Sequence, residues 1–246
     1  MKIFNPRFML FFLAVSLVAG CASSDPTVND PFEPFNRSMF AINQGLDKAL
    51  LKPTAKAYGV LPKPARQGVR NFLNNAGTPV VFFNDILQGE IDRAGTSAAR
   101  FLINTTIGIG GLVDAASDMG FPAHREDFGQ TLAVYGFAEG PYLFLPLLGP
   151  SNPRDLIGVA GNTAMDPASW AYWDDDSEIL TARTALDGID ARQRGLETLD
   201  EIERSSVDFY ASIRSLYRQN RAAEIDNGKT DIDQLPEIDD SLDDDY

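Results

Sequence analysis

The sequence predicts an all-α domain that sits at a membrane without crossing it. Apolar residues recur every three or four positions in several segments, the spacing that places them on one face of a helix. No run alternates convincingly with the period of two expected of a half-buried strand. The longest apolar runs are Phe8–Ala19 and Gly140–Pro150. Both fall short of the roughly 20 residues a spanning helix needs.

Lys2 and Arg7 precede the first of these runs, and Val18-Ala19-Gly20-Cys21 closes it. Positive residues, an apolar stretch and then small residues form an export leader, which is removed and takes no part in the fold. Residues 1–20 are read as that leader. Cys21 is the only cysteine of the chain, so no internal disulfide can form. In a Val-Ala-Gly-Cys box it is the expected site of thioether lipidation. Ala22 follows it where lipoproteins kept at the inner membrane have aspartate, which favours the outer membrane. Residues 21–29 are small and polar and read as a tether.

The folded body is expected over residues 30–223. Phe35, Met39, Ile42, Leu46 and Leu50 mark a first helix, with Pro34 in its first turn, where a missing N–H costs nothing. Pro53 should end or kink it. A second helix is expected from Lys63 to about Ala76, with Asn74, Asn75 and Gly77 as its exit. A third should run from Pro79 to about Asn104. Gly108–Asp114 has the wrong glycine spacing, and no preceding strand, for a nucleotide loop. It implies close backbone packing or a bend at a membrane surface. Asp118–Tyr135 reads as mainly irregular. The apolar run Gly140–Pro150, cut by Pro146, fits either a buried segment or a loop dipping partway into a bilayer. A short helix follows Asn152 as far as about Thr163. Trp170, Tyr172 and Trp173 then precede three aspartates, 174–176. This cluster fits an interface anchor and a partly buried aromatic group equally. The last helices should fill Ser177–Ala223 with a break near Gly188 or Gly195. Their stripe runs from Leu196 to Leu216 and could face the body or a partner. Four or five helices are expected in all.

The formal net charge is −14, which argues against nucleic acid as a partner. Much of that charge lies in residues 224–246, with ten acidic residues and one lysine. This segment reads as a self-repelling, disordered tail, more a solubility device than a docking arm. Catalytic signals are scarce. His124 is the only histidine, and no Gly-x-Ser-x-Gly elbow supplies a serine for it. It reads as a surface or loop residue. Zinc lacks ligands, and Asp174–Asp176 lack the spacing of a calcium loop. No cofactor, no metal and no enzymatic activity are expected.

Several ordered blocks carry a resemblance. They include DPFEPFNR (30–37), MFAIN (39–43), LPKPAR (61–66), NFLNN (71–75), LQG (87–89), RFLINTTIGIGGLVDAA (100–116), DFGQTL (127–132), GPYLFLPLLGP (140–150) and RSLYRQNR (214–221). With these the chain resembles the VacJ/MlaA outer-membrane lipoproteins over nearly all of the expected mature length except the tail. The resemblance implies a ring-like bundle of amphipathic helices, monotopic in the inner leaflet of the outer membrane. It implies an amphipathic channel that passes mislocalised phospholipid from the outer leaflet to a periplasmic phospholipid carrier. It also implies association with a trimeric porin. Phe35, Met39, Ile42, Phe72 and Leu73 are then candidates for shaping the lipid path. A gated stretch would be bordered by Asn36, Met39, Phe40, Ile42 and Asn43. The family usually has Gly where Pro34 stands, and Asp-Pro-Tyr where this chain has Asp208-Phe209-Tyr210. Losing that proline should let the last helix run straighter. Two other readings compete: a structural lipoprotein that only tethers porins, and a phospholipase using His124.

The anchor assignment is tested by Cys21→Ser. The variant should take up no labelled palmitate and should remain as an uncleaved or mislocalised precursor on membrane fractionation. Normal labelling would refute it.

Overall fold

A computed structural model of the chain describes residues 29–171 and 177–227. The leader, Cys21, most of the tether, the stretch 172–176 and the acidic tail beyond Asn227 lie outside the described residues. The body is α-helical, as the periodicity predicts, but it is cut into more pieces than four or five.

The first helix, α1 (Glu33–Leu46), does not stop at Pro53. It runs through a widened π-helical turn, Asp47–Leu51, into α2 (Lys52–Tyr58). The N–H of Lys52 reaches back five residues, to the carbonyl of Asp47. That wider turn relieves the carbonyl four residues before Pro53, which its ring would otherwise strike. The expected break at Asn74–Gly77 is also absent. One helix, α3 (Lys63–Gln88), continues through Gly77 and Pro79. Asn75 is buried, and its amide donates to Thr105 Oγ1 at 3.0 Å. A helix-to-helix contact therefore uses the residue that composition alone marks as an exit. The real stop is Gly89, left-handed at φ 78°, a position that suits glycine. The chain then returns as α4 (Ile91–Thr106), packed along α3.

Residues 107–113 bend tightly. A β-carbon on Gly108 would lie 2.2 Å from the Val113 carbonyl oxygen and 2.5 Å from that of Asn104, so the backbone packs closely at this glycine. A short α5 (Ala115–Asp118) follows, capped by Asp114. The segment expected to be irregular contains α6 (Phe128–Val134). Asp127 caps it by accepting from the Gln130 N–H at 3.0 Å. Gly140–Pro150 is neither helix nor plain loop. It forms an antiparallel hairpin, β1 (Leu143–Leu145) with β2 (Gly149–Ser151), Phe144 opposite Pro150. Its base is buried through Tyr142 and Phe144, whereas Leu147 at the tip is 83% exposed. α7 (Pro153–Met165) starts at the Asn152 cap, and α8 (Pro167–Ala171) follows. α9 (Ser177–Arg194) passes through Gly188 unbroken, and Gly195 separates it from α10 (Leu196–Ser205). A further break precedes α11 (Phe209–Ile225) despite the missing proline. Asp208 holds that corner by capping Ala211 and pairing with Arg37.

The two ends of the body meet. Asp30 is buried and accepts hydrogen bonds from Asn36 Nδ2 (2.7 Å), Tyr210 Oη (2.5 Å) and Arg214 Nη1 (2.6 Å). Asn36, itself fully buried, also donates to the Tyr142 carbonyl at 3.0 Å and accepts from the Phe144 N–H at 2.9 Å. Seven residues on, Asn43 donates to the Leu145 carbonyl and accepts from the Leu147 N–H. Two helix turns thus bring two asparagines onto one face, and they pin the hairpin along α1. Between them Phe40 packs edge-on against Phe144, Phe209 and Tyr210. Asn36→Ala removes partners from three buried groups and should lower stability by about 2–4 kcal/mol, read as a fall in the thermal unfolding midpoint. An unchanged midpoint would show that this clamp does not hold the ends together.

Candidate functional site

The described part of the chain is polar within and apolar without. Fully buried apolar residues are few: Leu73, Tyr142, Phe144, Tyr210 and three alanines. Fully buried polar and charged residues are more numerous and include Asp85, Arg100, Glu126, Arg154, Asp190 and Arg221. Meanwhile Val60, Ile91, Leu102, Ile107, Ile109, Leu147 and Leu148 are each more than 60% exposed. In water that arrangement would waste burial; against lipid it is the expected one. Among the described residues no helix is long and apolar enough to cross a membrane.

Two cavities share one wall, α9. The first, about 930 Å³, is bounded by α3, α4, the segment 121–127, α7 and α9. From α9 it receives Arg183, Asp187 and Arg194, four and seven residues apart on one edge of the helix. The second, about 1150 Å³, lies on the other side of α9 among α1, α2, the hairpin, α10 and α11. Its lining is apolar: Leu46, Leu50, Leu147, Leu148, Ile189 and Ile213 among others. Leu180, Thr184 and Ala191 border both. α10 closes the apolar side through Lys48–Glu203 (2.7 Å) and Lys52–Asp200 (2.9 Å), and Arg192 pairs with Asp47 at 2.7 Å. Asp190 is buried where α9 meets α2 and α3. Burial would raise its carboxyl pKa, but Arg70 and Arg194 hold it below the usual value.

The sequence-predicted path residues do not gather in one place. Phe40 and Asn43 line the apolar cavity, and Leu73 lines the polar one. Asn36 and Met39 belong to the clamp and its aromatic packing. Phe35, Ile42 and Phe72 are about half exposed and line neither cavity. What sequence reasoning missed is α9. Its polar edge and its small, apolar edge share a helix with no single dominant stripe, so periodicity gave no cue.

His124 is a loop residue, one of the two expected settings, but it is largely covered rather than on the open surface. It lies in the polar cavity wall, with Nε2 2.9 Å and 3.0 Å from the two Asp85 oxygens and 3.2 Å from Ser97 Oγ. The three residues are those of a hydrolase, but the geometry is not. One ring nitrogen faces both partners, whereas a relay uses opposite nitrogens. Ser97 Oγ donates directly to Asp85 Oδ2 at 2.7 Å, which ties up the hydroxyl. Beside them Glu126 accepts from Arg93 and Gln88. Burial pushes its carboxyl above the ordinary range in spite of both. No group of three metal-ligating side chains occurs among the described residues, and Asp174–Asp176 lie outside them.

A family model for the MlaA lipoprotein matches residues 28–224. Relatives named intermembrane phospholipid transport system lipoprotein MlaA come from Haemophilus influenzae and Escherichia coli. The first is 32% identical over 243 residues, covering 95% of this chain and 94% of the relative. The second is 34% identical over 221 residues, covering 87% and 86%. An uncharacterised protein of Rickettsia felis is 40% identical over 200 residues, 80% of this chain and 78% of its own. A solved structure concerned with the maintenance of bacterial outer membrane lipid asymmetry superposes with a TM-score of 0.72 at 32% identity. It covers 80% of this chain and 98% of that one.

The buried ion pairs set the acid limit of the fold. Burial would raise the carboxyl pKa of Asp127, but the Arg221 guanidinium, at 2.8 Å, outweighs it and holds the pKa below the usual value. A depressed carboxylate contributes its stability above the unfolded value, about 3.9, and loses it as pH falls toward the folded one. Stability should therefore drop as pH falls below about 4, and Asp127→Asn should flatten that drop while lowering stability at pH 7. Denaturant midpoints measured across pH 2–7 check this, and an acid limb identical to wild type would contradict it.

Proposed function

This chain belongs to the MlaA lipoprotein family, and on that premise we propose that phospholipid passes through it with the headgroup in the polar cavity and the acyl chains along the apolar one. Its role is phospholipid transport that maintains outer-membrane lipid asymmetry, as a lipid-anchored protein of that membrane and not as an enzyme. The observation that carries the proposed route is the pairing of a polar and an apolar cavity across α9. A phospholipid has the same division. Exposing its chains to water would cost about 0.8 kcal/mol per CH₂, and burying its charged headgroup among unpaired apolar groups would cost more. A cavity of mixed lining that carries the charged groups and a second, mainly apolar one, in contact through Leu180, Thr184 and Ala191, avoid both penalties.

In this reading mislocalised phospholipid leaves the outer leaflet and is delivered to a periplasmic carrier protein. The exposed apolar surface meets the lipid of the inner leaflet, with a trimeric porin as neighbour. Cys21 carries the anchoring lipid. The hairpin tip at Leu147 and Leu148, the most exposed part of the apolar cavity's lining, marks where chains enter or leave.

Outer-leaflet phospholipid labelling in a deletion strain tests the route. The deletion should accumulate label, and wild type and His124→Ala should both restore the barrier. Ile189→Glu places a carboxylate in the apolar cavity and should fail to restore it at normal protein abundance. Full restoration by Ile189→Glu would move the acyl path elsewhere. Failure of an abundant His124→Ala, with free fatty acid released, would return the site to hydrolysis.

A further inference from the structure

We infer that the polar cavity selects headgroups that carry both a phosphate and an ammonium. This inference rests on the transport reading above. Most charges in the cavity wall are neutralised by partners in the wall or just behind it. Arg100 pairs with Asp114 at 2.9 Å, and Arg183 with Asp166 at 2.7 Å. Two charges that line the cavity are left: Arg125 and Asp187. Both are exposed, and neither makes an ion pair or a side-chain hydrogen bond among the described residues.

Their freedom follows from their neighbours. Asp187 stands four residues after Arg183 on α9, the spacing at which the two would ordinarily pair on a helix. The Arg183 guanidinium is turned away to Asp166 instead. Arg125 is followed directly by two carboxylates, Glu126 and Asp127. Glu126 is occupied by Arg93 at 2.5 Å and Asp127 by Arg221 at 2.8 Å. The segment bearing Arg125 is also held at both ends. Arg100 Nη1 donates to the Phe121 carbonyl at 2.6 Å, and Asp127 caps α6. The cavity thus keeps one guanidinium, on the segment 121–127, and one carboxylate, on α9, with no partner from its own wall.

A guanidinium is suited to phosphate oxygens, and a carboxylate to an ammonium. A zwitterionic headgroup neutralises both. A headgroup that is anionic, with glycerol beyond its phosphate, neutralises Arg125 alone and leaves Asp187 facing a net negative ligand. Partly exposed ion pairs set the scale of the effect, about two- to fivefold in occupancy.

The test uses the full-length lipidated protein, extracted in mild detergent and equilibrated with equimolar phosphatidylethanolamine and phosphatidylglycerol. Bound lipid is counted by native mass spectrometry. Wild type should favour phosphatidylethanolamine about two- to fivefold. Asp187→Asn should bring the ratio to about one, and Asp187→Lys should favour phosphatidylglycerol. Arg125→Gln should lower the binding of both. Circular dichroism matched to wild type establishes that each variant is folded. A wild-type ratio of one, or a ratio unchanged by Asp187→Lys, overturns the selection while leaving transport intact. Absence of either lipid from wild type counts against the transport reading itself.

Discussion

The Asp30 carboxylate joins the beginning of the body to its end. Its side chain is fully buried, and three donors from α1 and α11 converge on it. An ionised group in that position is tolerated only when its oxygens are satisfied. The requirement fixes the angle between the two helices, and Tyr142 and Phe144 fill the space between them. The hairpin is hung on the same cluster through Asn36. The walls of the apolar cavity, which come from α1, the hairpin and α11, therefore take their spacing from one carboxylate and its partners.

The polarity of the body has a similar origin. A protein that meets lipid outside cannot use apolar burial alone to hold its helices together, because lipid is as good a neighbour as another helix. Directional bonds replace it. Asp190 joins α2, α3 and α9; Arg221 joins α11 to the cap of α6 and the first turn of α7 through Asp127 and Asp155; Asp47 and Asp200 receive Arg192. Such pairs add little on an exposed surface but are expensive to break when buried. α9 is the economical part of this design, since a single helix presents charge to one cavity and small or apolar residues to the other.

Much of the fold was legible in the periodicity, because α1, α4, α10 and α11 each carry a clear apolar stripe. One failure, the missed continuity of α3, has a plain cause. Asn75, Gly77 and Pro79 look like loop residues, and in water they would be. Here Asn75 is consumed in a contact between helices, so α3 continues through it. Gly89 looked ordinary yet ends the helix, since only the backbone angle shows its role. The site was less legible than the fold. Asn36 and Asn43 entered only through the family resemblance, as borders of a path; their actual partners are strand carbonyls and amides more than 100 positions away. α9 went unnoticed because two half-stripes of opposite character cancel.

The π-helical turn between α1 and α2 holds one residue more than an α-helical turn would. It lies after both asparagine clamps and before Ala55, which is fully buried. An inserted residue upstream, between Asn36 and Asn43, rotates one clamp about 100° away from the other. At Asp47–Leu51 the same change in length is absorbed by the turn itself. This stretch is thus where the gene can drift in length by a single codon without disturbing either flank, while the clamp segment before it is locked to a fixed count.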